Sequence, residues 1–550
     1  MPKALPEIKL SDDSLASIVV GGMLLIPIML AFGVMGSRAM FSFLAADTMY
    51  YLDIASNVWK YGIPTMDGES LTNGFHPLWE FILIGIFAPL HIPHHFQVYV
   101  VFVLSVLFVY AAYAMVAGGL LRILGKWPGL VATLTLFPGA YALFFEPRRH
   151  VFGAPGLHYT LSPLSAINGM ETPVSLALWA FFFLKCAAPM LSFRGGSAEK
   201  FDIRPFFPLS VRLCLAALVL ARLDDCFLMV AIGLFVLFQH GVPFGRKIRT
   251  LWYIGWPTGV AMITYVVFNL ETVGIALPLS ALSKISSSED RAFYFYGSVL
   301  LGHPGNWWHE ALRLYVLLVA LLVGCCGRKF LPQASGKPGI ALFAICALFL
   351  IMKALFLLLA VPFVCQGYWY YFSMVGICNV MFALAIGAAV KAHSDALRPV
   401  LYFCLAVIAF HMPNDLNAIE SYVHDGPSMD KSIENYANVT YLLWRHDEEI
   451  RRFLMDKAPG AKLVETLDGM FAYLLDMPAE GVTGLASSPD EIKRRKAVGL
   501  WKSVIPRGFT LVPDYGYVTP ASDPKTVKIV EELHPPFLPF SFFRVELVQP

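Results

Sequence analysis

The chain has 550 residues, 57% hydrophobic and 15% charged, with a mean hydropathy of +0.62 and a formal net charge of +2. Soluble globular chains carry about 25% charged residues, so this composition excludes an ordinary soluble fold and points to repeated membrane spans. No basic arm, zinc-finger spacing or RNP pattern is present, which excludes a nucleic-acid partner. All nine cysteines fall between Cys186 and Cys404, so no disulfide framework exists beyond residue 404.

In chain order, the N-terminus MPKALPEIKLSDDSLASIVV lacks a signal-peptide cleavage site and reads as a retained helix. The first apolar span covers 17–36, and Lys3 and Lys9 before it place the N-terminus in the cytoplasm. Residues 37–95 then lie outside. Within them LWEFILIGIFAPLH is too short for a full crossing and reads as juxtamembrane or re-entrant. Spans follow at 97–121, 128–145, 173–190, 208–222, 226–239, 251–270, 311–326, 339–362, 372–390 and 399–412, about eleven in all. The loops GRKIR and GRKF fall inside, as the excess of Lys and Arg on cytoplasmic loops requires.

Composition shifts near residue 413. RHDEEIRRFLMDKAPG predicts an amphipathic helix stopped by Pro-Gly, and AKLVETLDG a strand and turn. The expected fold is therefore a polytopic α-helical membrane protein. Residues 1–412 form its transmembrane module and 413–550 a C-terminal mixed α/β extracytoplasmic domain, long enough for its own core. The vicinal Cys325 and Cys326 read as small buried hydrophobes, and no C-x-x-C spacing suggests structural zinc.

This threading gathers Asp47, Asp53, His76, Arg148, Arg149, His150, His158, Glu171, Arg222, Asp224, Asp225, Lys284 and the aromatic run Tyr368–Tyr371 on the outer face. Ionisable groups beside membrane spans are costly and mark sites. A carboxylate can deprotonate a hydroxyl, aromatic rings stack on sugar or isoprenoid faces, and Arg or Lys pairs with phosphate. Together they suggest a lipid-phosphate donor and a hydroxyl acceptor.

The order of features resembles the GT-C superfamily of integral-membrane glycosyltransferases, which use polyprenyl-phosphate-linked sugars. It is most similar to the branch of the protein O-mannosyltransferases, aminoarabinose transferases and lipopolysaccharide-core sugar transferases. The resemblance rests on DTMYYLDIASN and YGIPTMDGESLTNGFHPLW in the first outer loop. INGMET, ARLDD, LPLSALSK, YWYY and ETLDGMFAYLLDMPAEGVTGLAS add to it. It implies an inverting transferase of the cell membrane whose partners are a polyprenyl-phosphate-linked sugar donor and a hydroxyl-bearing glycan, lipid or protein acceptor. Relatives often carry a paired acid where this chain has Ala46 before Asp47. A divalent cation is therefore an open question, and no metal ligands are assigned.

By resemblance, Asp47 is the catalytic base and Lys284 the first choice for the donor phosphate; Arg148 and Arg149, basic residues outside against the positive-inside trend, and Arg222 are further candidates to bind that phosphate. Tyr50, Tyr51, His76, Glu171, Tyr368 and Tyr370 line the substrate site. Each has a plainer reading. Asp47 suits a helix N-cap, and Glu171 suits a helix N-terminus. The two tyrosines of loop one suit core packing, and His76 could fix its loop. Asn73 and Gly74 read as a turn. Arg222 could pair with Asp224 or Asp225, the YWYY run could be an interfacial belt, and EIKRRKAVGLWK a solvated helix face. The rival function is a transporter or flippase of a lipid-linked anion, which would place ionisable residues at mid-membrane depth. A third reading is an inactive relative that keeps the fold and has lost donor binding.

Overall fold

A computed structural model of the chain describes residues 11–136, 166–193, 202–280, 337–360, 372–392, 436–465, 469–482, 487–515, 520 and 523–548. Six described helices are long and apolar enough to cross a membrane: Ser14–Gly33, His94–Leu124, Thr172–Ser192, Phe244–Val273, Pro338–Leu357 and Phe372–Ala392. All six coincide with expected spans, and the chain is a multi-pass membrane protein. The expected spans 208–222 and 226–239 are the shorter apolar helices Leu209–Ala221 and Cys226–Leu237. The first described helices are α1 (Asp12–Met35), α2 (Arg38–Phe43), α3 (Thr48–Tyr61) and the LWEF segment itself, α4 (Pro77–Leu90), of 14 residues. The expected spans 311–326 and 399–412, and the boundary at 412, lie outside the described residues.

Local sequence explains the shapes that position the site. The helix α3 (Thr48–Tyr61) ends at Gly62, whose φ of 75° is the left-handed conformation that favours glycine at a C-terminus. The helix Thr172–Ser192 contains a wide turn at Phe183–Ala187, where the Ala188 N–H reaches back to the Phe183 carbonyl. Pro189 follows with no N–H to give, and the wide turn absorbs that loss. The Phe183 ring packs so closely on Gly119 of the facing helix that a Cβ there would lie 2.5 Å from it.

The C-terminal region is α/β, as expected. The helix Asp447–Lys457 opens on three acids and closes on a lysine, the order its dipole favours. The helix Pro489–Val498 is capped by Ser488 and ends at Gly499. Five strands follow the chain: β1 (Lys462–Glu465), β2 (Ala479–Gly481), β3 (Phe509–Pro513), β4 (Val527–Leu533) and β5 (Phe542–Leu547). Their order is β2-β1-β3-β5-β4; β1 runs parallel to β2 and β3, while β5 runs antiparallel to β3 and β4.

Side chains alternate across this sheet with the two-residue period of strands. Leu463, Leu511 and Phe542 join the large core that also contains the membrane helices. Val464 and Val512 pack on the other face with Trp501 and Val504, and Phe509 joins them where the register shifts between Lys462 and Leu463. The sheet is thus built onto the helical part rather than tethered to it. Trp444 stacks on His95 at 4.1 Å and donates to its carbonyl. Tyr473 donates to the His94 carbonyl at 2.8 Å. Gly469, with φ of 89°, sits against α3, where a Cβ would lie 2.3 Å from the Tyr50 backbone.

Candidate active site

The site grows from the junction between loop one and the segment 166–171. The Asn168 carbonyl accepts from the Ala45 N–H at 3.0 Å and from the Thr48 hydroxyl at 2.5 Å. Gly169 adopts a φ of 73° and approaches so near that a Cβ would lie 2.5 Å from Thr48. Trp79 of α4 donates to the Gly169 carbonyl at 3.0 Å. These contacts set the start of α3 beside Glu171, which precedes the span Thr172–Ser192.

Asp47 stands at the residue before α3. Its backbone is helical (φ −61°, ψ −15°), its side chain makes no capping hydrogen bond, and it is half-buried. The helix-cap reading of Asp47 is therefore not realised. One turn on, Tyr51 is fully buried and donates to Glu171 Oε2 at 2.9 Å, while its ring stacks on Tyr50 at 4.4 Å.

Glu171 is the hub. Arg222 Nη1 donates to its Oε1 at 2.9 Å, and His76 Nε2 stands 3.6 Å from the same oxygen. Burial opposes its ionisation, but His76, Arg222 and the Tyr51 hydroxyl hold its carboxyl below the usual carboxylate range.

From Arg222 the charges continue in alternation. Its Nε donates to Asp224 Oδ1 at 3.2 Å. Lys353 Nζ lies 2.9 Å from Asp224 Oδ2, 2.6 Å from Asp225 Oδ1 and 2.6 Å from Ser373 Oγ. Asp225 also accepts from Ser175 at 3.0 Å and Trp179 at 2.9 Å. Reading the sequence missed Lys353 as a member of this set. The available signal was physical: a lysine within an apolar helix needs a buried counter-charge, and ARLDD offers two acids with a single arginine.

Of the residues expected from sequence, Asp47, Tyr50, Tyr51, His76, Glu171 and Arg222 gather in this region. Arg222 pairs with Glu171 as well as Asp224, so the simple local ion pair is only part of its role. Arg148, Arg149, Lys284, Tyr368 and Tyr370 lie outside the described residues. Asn73 does more than make a turn. Its Oδ1 accepts from the Leu279 N–H at 3.0 Å and its Nδ2 donates to the Leu277 carbonyl at 3.3 Å, tying loop one to the segment before Lys284. Among the described residues, no group of three or more His, Cys, Asp or Glu is placed to hold a metal ion.

No family model and no curated protein matches the chain. Among solved structures, it is similar to ArnT from Cupriavidus metallidurans, determined with undecaprenyl phosphate bound. The TM-score is 0.52 at 12% identity, over 96% of this chain and 98% of ArnT. A likeness of that extent at so low an identity is one of fold: over nearly its whole length the chain shares the fold of that structure.

Proposed function

We propose that the protein is an inverting glycosyltransferase that moves a sugar from a polyprenyl-phosphate donor to a hydroxyl acceptor. The observation that carries this reading is Asp47. This carboxylate heads α3, half-buried, and stands one turn from the Tyr51–Glu171–Arg222 chain. The likeness to ArnT, with its bound undecaprenyl phosphate, supports the lipid class of the donor.

In this reading the acceptor oxygen attacks the anomeric carbon as Asp47 takes the hydroxyl proton. The bond from that carbon to the phosphate oxygen breaks, and the polyprenyl phosphate leaves with the electron pair. Arg222 stabilises the charge on the leaving phosphate together with Lys284, Arg148 and Arg149, the larger contribution in reactions of this kind. Tyr50, Tyr51, His76 and Glu171 shape the sugar site, with Tyr368 and Tyr370 completing it. Residues 1–412 form the catalytic module with its site on the extracytoplasmic face, and 413–550 the outer domain.

A second reading has one observation in its favour. Lys353 and its aspartates are an ion cluster buried against a span, as a transporter of a lipid-linked anion would require. One experiment separates the two: sugar transfer from a panel of synthetic polyprenyl-phosphate donors in detergent, comparing wild type with Asp47→Asn. Turnover that falls by at least a hundredfold in the folded variant supports the transferase and its base. Turnover untouched by the substitution removes Asp47 from the chemistry. No turnover, with movement of the donor between leaflets of liposomes, supports the transporter.

A further inference from the structure

Arg222 cannot serve a phosphate while it alone neutralises its neighbours. It faces Glu171 at 2.9 Å, whereas its two contacts to Asp224 are longer, 3.2 Å from Nε and 3.4 Å from Nη2. Asp224 is held more closely by Lys353, at 2.9 Å. Lys353 is fully buried and itself fixed by Asp225 and Ser373, and Asp225 is fixed in turn by Ser175 and Trp179. Lys353 and Asp225 at the far end of the chain each make three close contacts, and the longer contacts lie between Arg222 and Asp224. A planar guanidinium with long contacts on one edge can exchange them for a better anion.

We propose that Lys353 is a positioning residue that carries the charge of Asp224, so that Arg222 can turn from Asp224 to the phosphate of the donor. The proposal rests on the reading above in which Arg222 meets that phosphate. Without Lys353, Asp224 and Asp225 would be two buried acids with Arg222 already bonded to Asp224, and the guanidinium would be drawn away from the ligand. A merely structural Lys353 would, when lost, lower stability and leave the donor affinity of the folded protein unchanged.

The test is direct binding of undecaprenyl phosphate to the purified full chain in nanodiscs, alongside the transfer assay. Lys353→Met is expected to weaken binding at least tenfold, with the loss of transfer falling on the donor KM and kcat held within threefold. The double variant Lys353→Met with Asp224→Asn is expected to bind within threefold of wild type, because a neutral amide at position 224 makes no claim on Arg222. Binding by Lys353→Met at the wild-type level overturns the proposal. So does a double variant no better than the single. Where Lys353→Met does not fold, Asp224→Asn alone decides: binding as tight as wild type or tighter supports the proposal, and tenfold weaker binding overturns it. A wild type that binds no undecaprenyl phosphate overturns the reading of function and this proposal with it.

Discussion

Loop one carries acids on two sides, and their surroundings differ. Asp47 stands at the head of α3, beside the buried chain of Tyr51, Glu171 and Arg222. Asp53, Asp67 and Glu69 belong to the other side, toward the C-terminal region. Asp67 accepts from the Glu69 and Ser70 N–H groups and receives Arg507 at 2.6 Å, while Glu69 pairs with Lys462 at 2.5 Å. Asp53 is buried within electrostatic reach of Glu465. Burial opposes the ionisation of Asp67, but two N–H donors and a guanidinium hold its carboxyl below the usual carboxylate range. An acid so fully engaged is poorly placed to take a proton from a substrate. Residue type alone does not separate the two sides; partners do.

The comparison breaks first at Arg222. Replacing it with Met leaves Glu171 and Asp224 buried without its charge, so stability should fall by about 3–5 kcal/mol and transfer should be lost. Thermal unfolding in detergent reads the first effect; a variant as stable as wild type would mean that the buried chain is not a structural unit. Next comes Gly469, on the side that faces the sheet. Gly469→Ala adds backbone strain and a clash with the Tyr50 backbone, together roughly 3 kcal/mol. Gly460 is the control, because its φ of 71° is similar but nothing lies within 4 Å of its added Cβ. Gly460→Ala should cost about 1 kcal/mol. Equal effects at the two glycines would show that docking on α3 contributes nothing.

Much of this organisation was legible in the residues. Apolar length gave the spans, Pro-Gly after DEEIRRFLMDK gave the helix end, and AKLVETLDG gave the strand at Lys462–Glu465. The acid, the tyrosines and the His-Pro of loop one pointed to the region proposed as the site. What the sequence hid was pairing across distance. Asp225 and Lys353 stand 128 positions apart, and Asp67 and Arg507 stand 440 apart. No local period encodes such contacts. EIKRRKAVGLWK shows the same limit: its Glu491 is buried and bound by Arg495 and Arg507, so a face expected to be solvated is part of an ion cluster. The fate of each loop-one acid followed from how the C-terminal region docks, which only the three-dimensional arrangement displays.

The side facing the sheet should also respond to pH. Glu465 is fully buried, and burial pushes its carboxyl up to about 7 although the N–H groups of Gly469, Phe471 and Ala472 favour the charged form. A carboxyl raised on folding contributes stability that is complete below its unfolded value near 4.5 and is lost as pH rises through about 7. The loss should approach about 3 kcal/mol. Glu480, raised to about 6, acts in the same direction, so the clean measurement is the difference between wild type and Glu465→Gln across pH 5 to 8. A difference that does not vary with pH would mean that Glu465 does not titrate in this window.

The smallest effect is the sharpest comparison, Asp67→Asn against Asp47→Asn. An amide at position 67 can keep the turn, because Asp67 Oδ1 accepts from the Glu69 and Ser70 N–H groups and an amide oxygen can do the same. It loses the charge that meets Arg507, but Arg507 keeps Glu480 at 3.4 Å and Glu491 at 3.0 Å. Stability should therefore fall by only about 1–2 kcal/mol, while the proposed transfer by the folded protein stays within a fewfold of wild type. Asp47→Asn should act on transfer, because in the proposed reading its carboxylate takes the acceptor proton. Transfer by the folded variant would collapse. Two substitutions of the same chemistry, 20 positions apart on one loop, would then separate holding the loop from acting through it. If both lowered stability and spared transfer, the base would have to be sought elsewhere on this face.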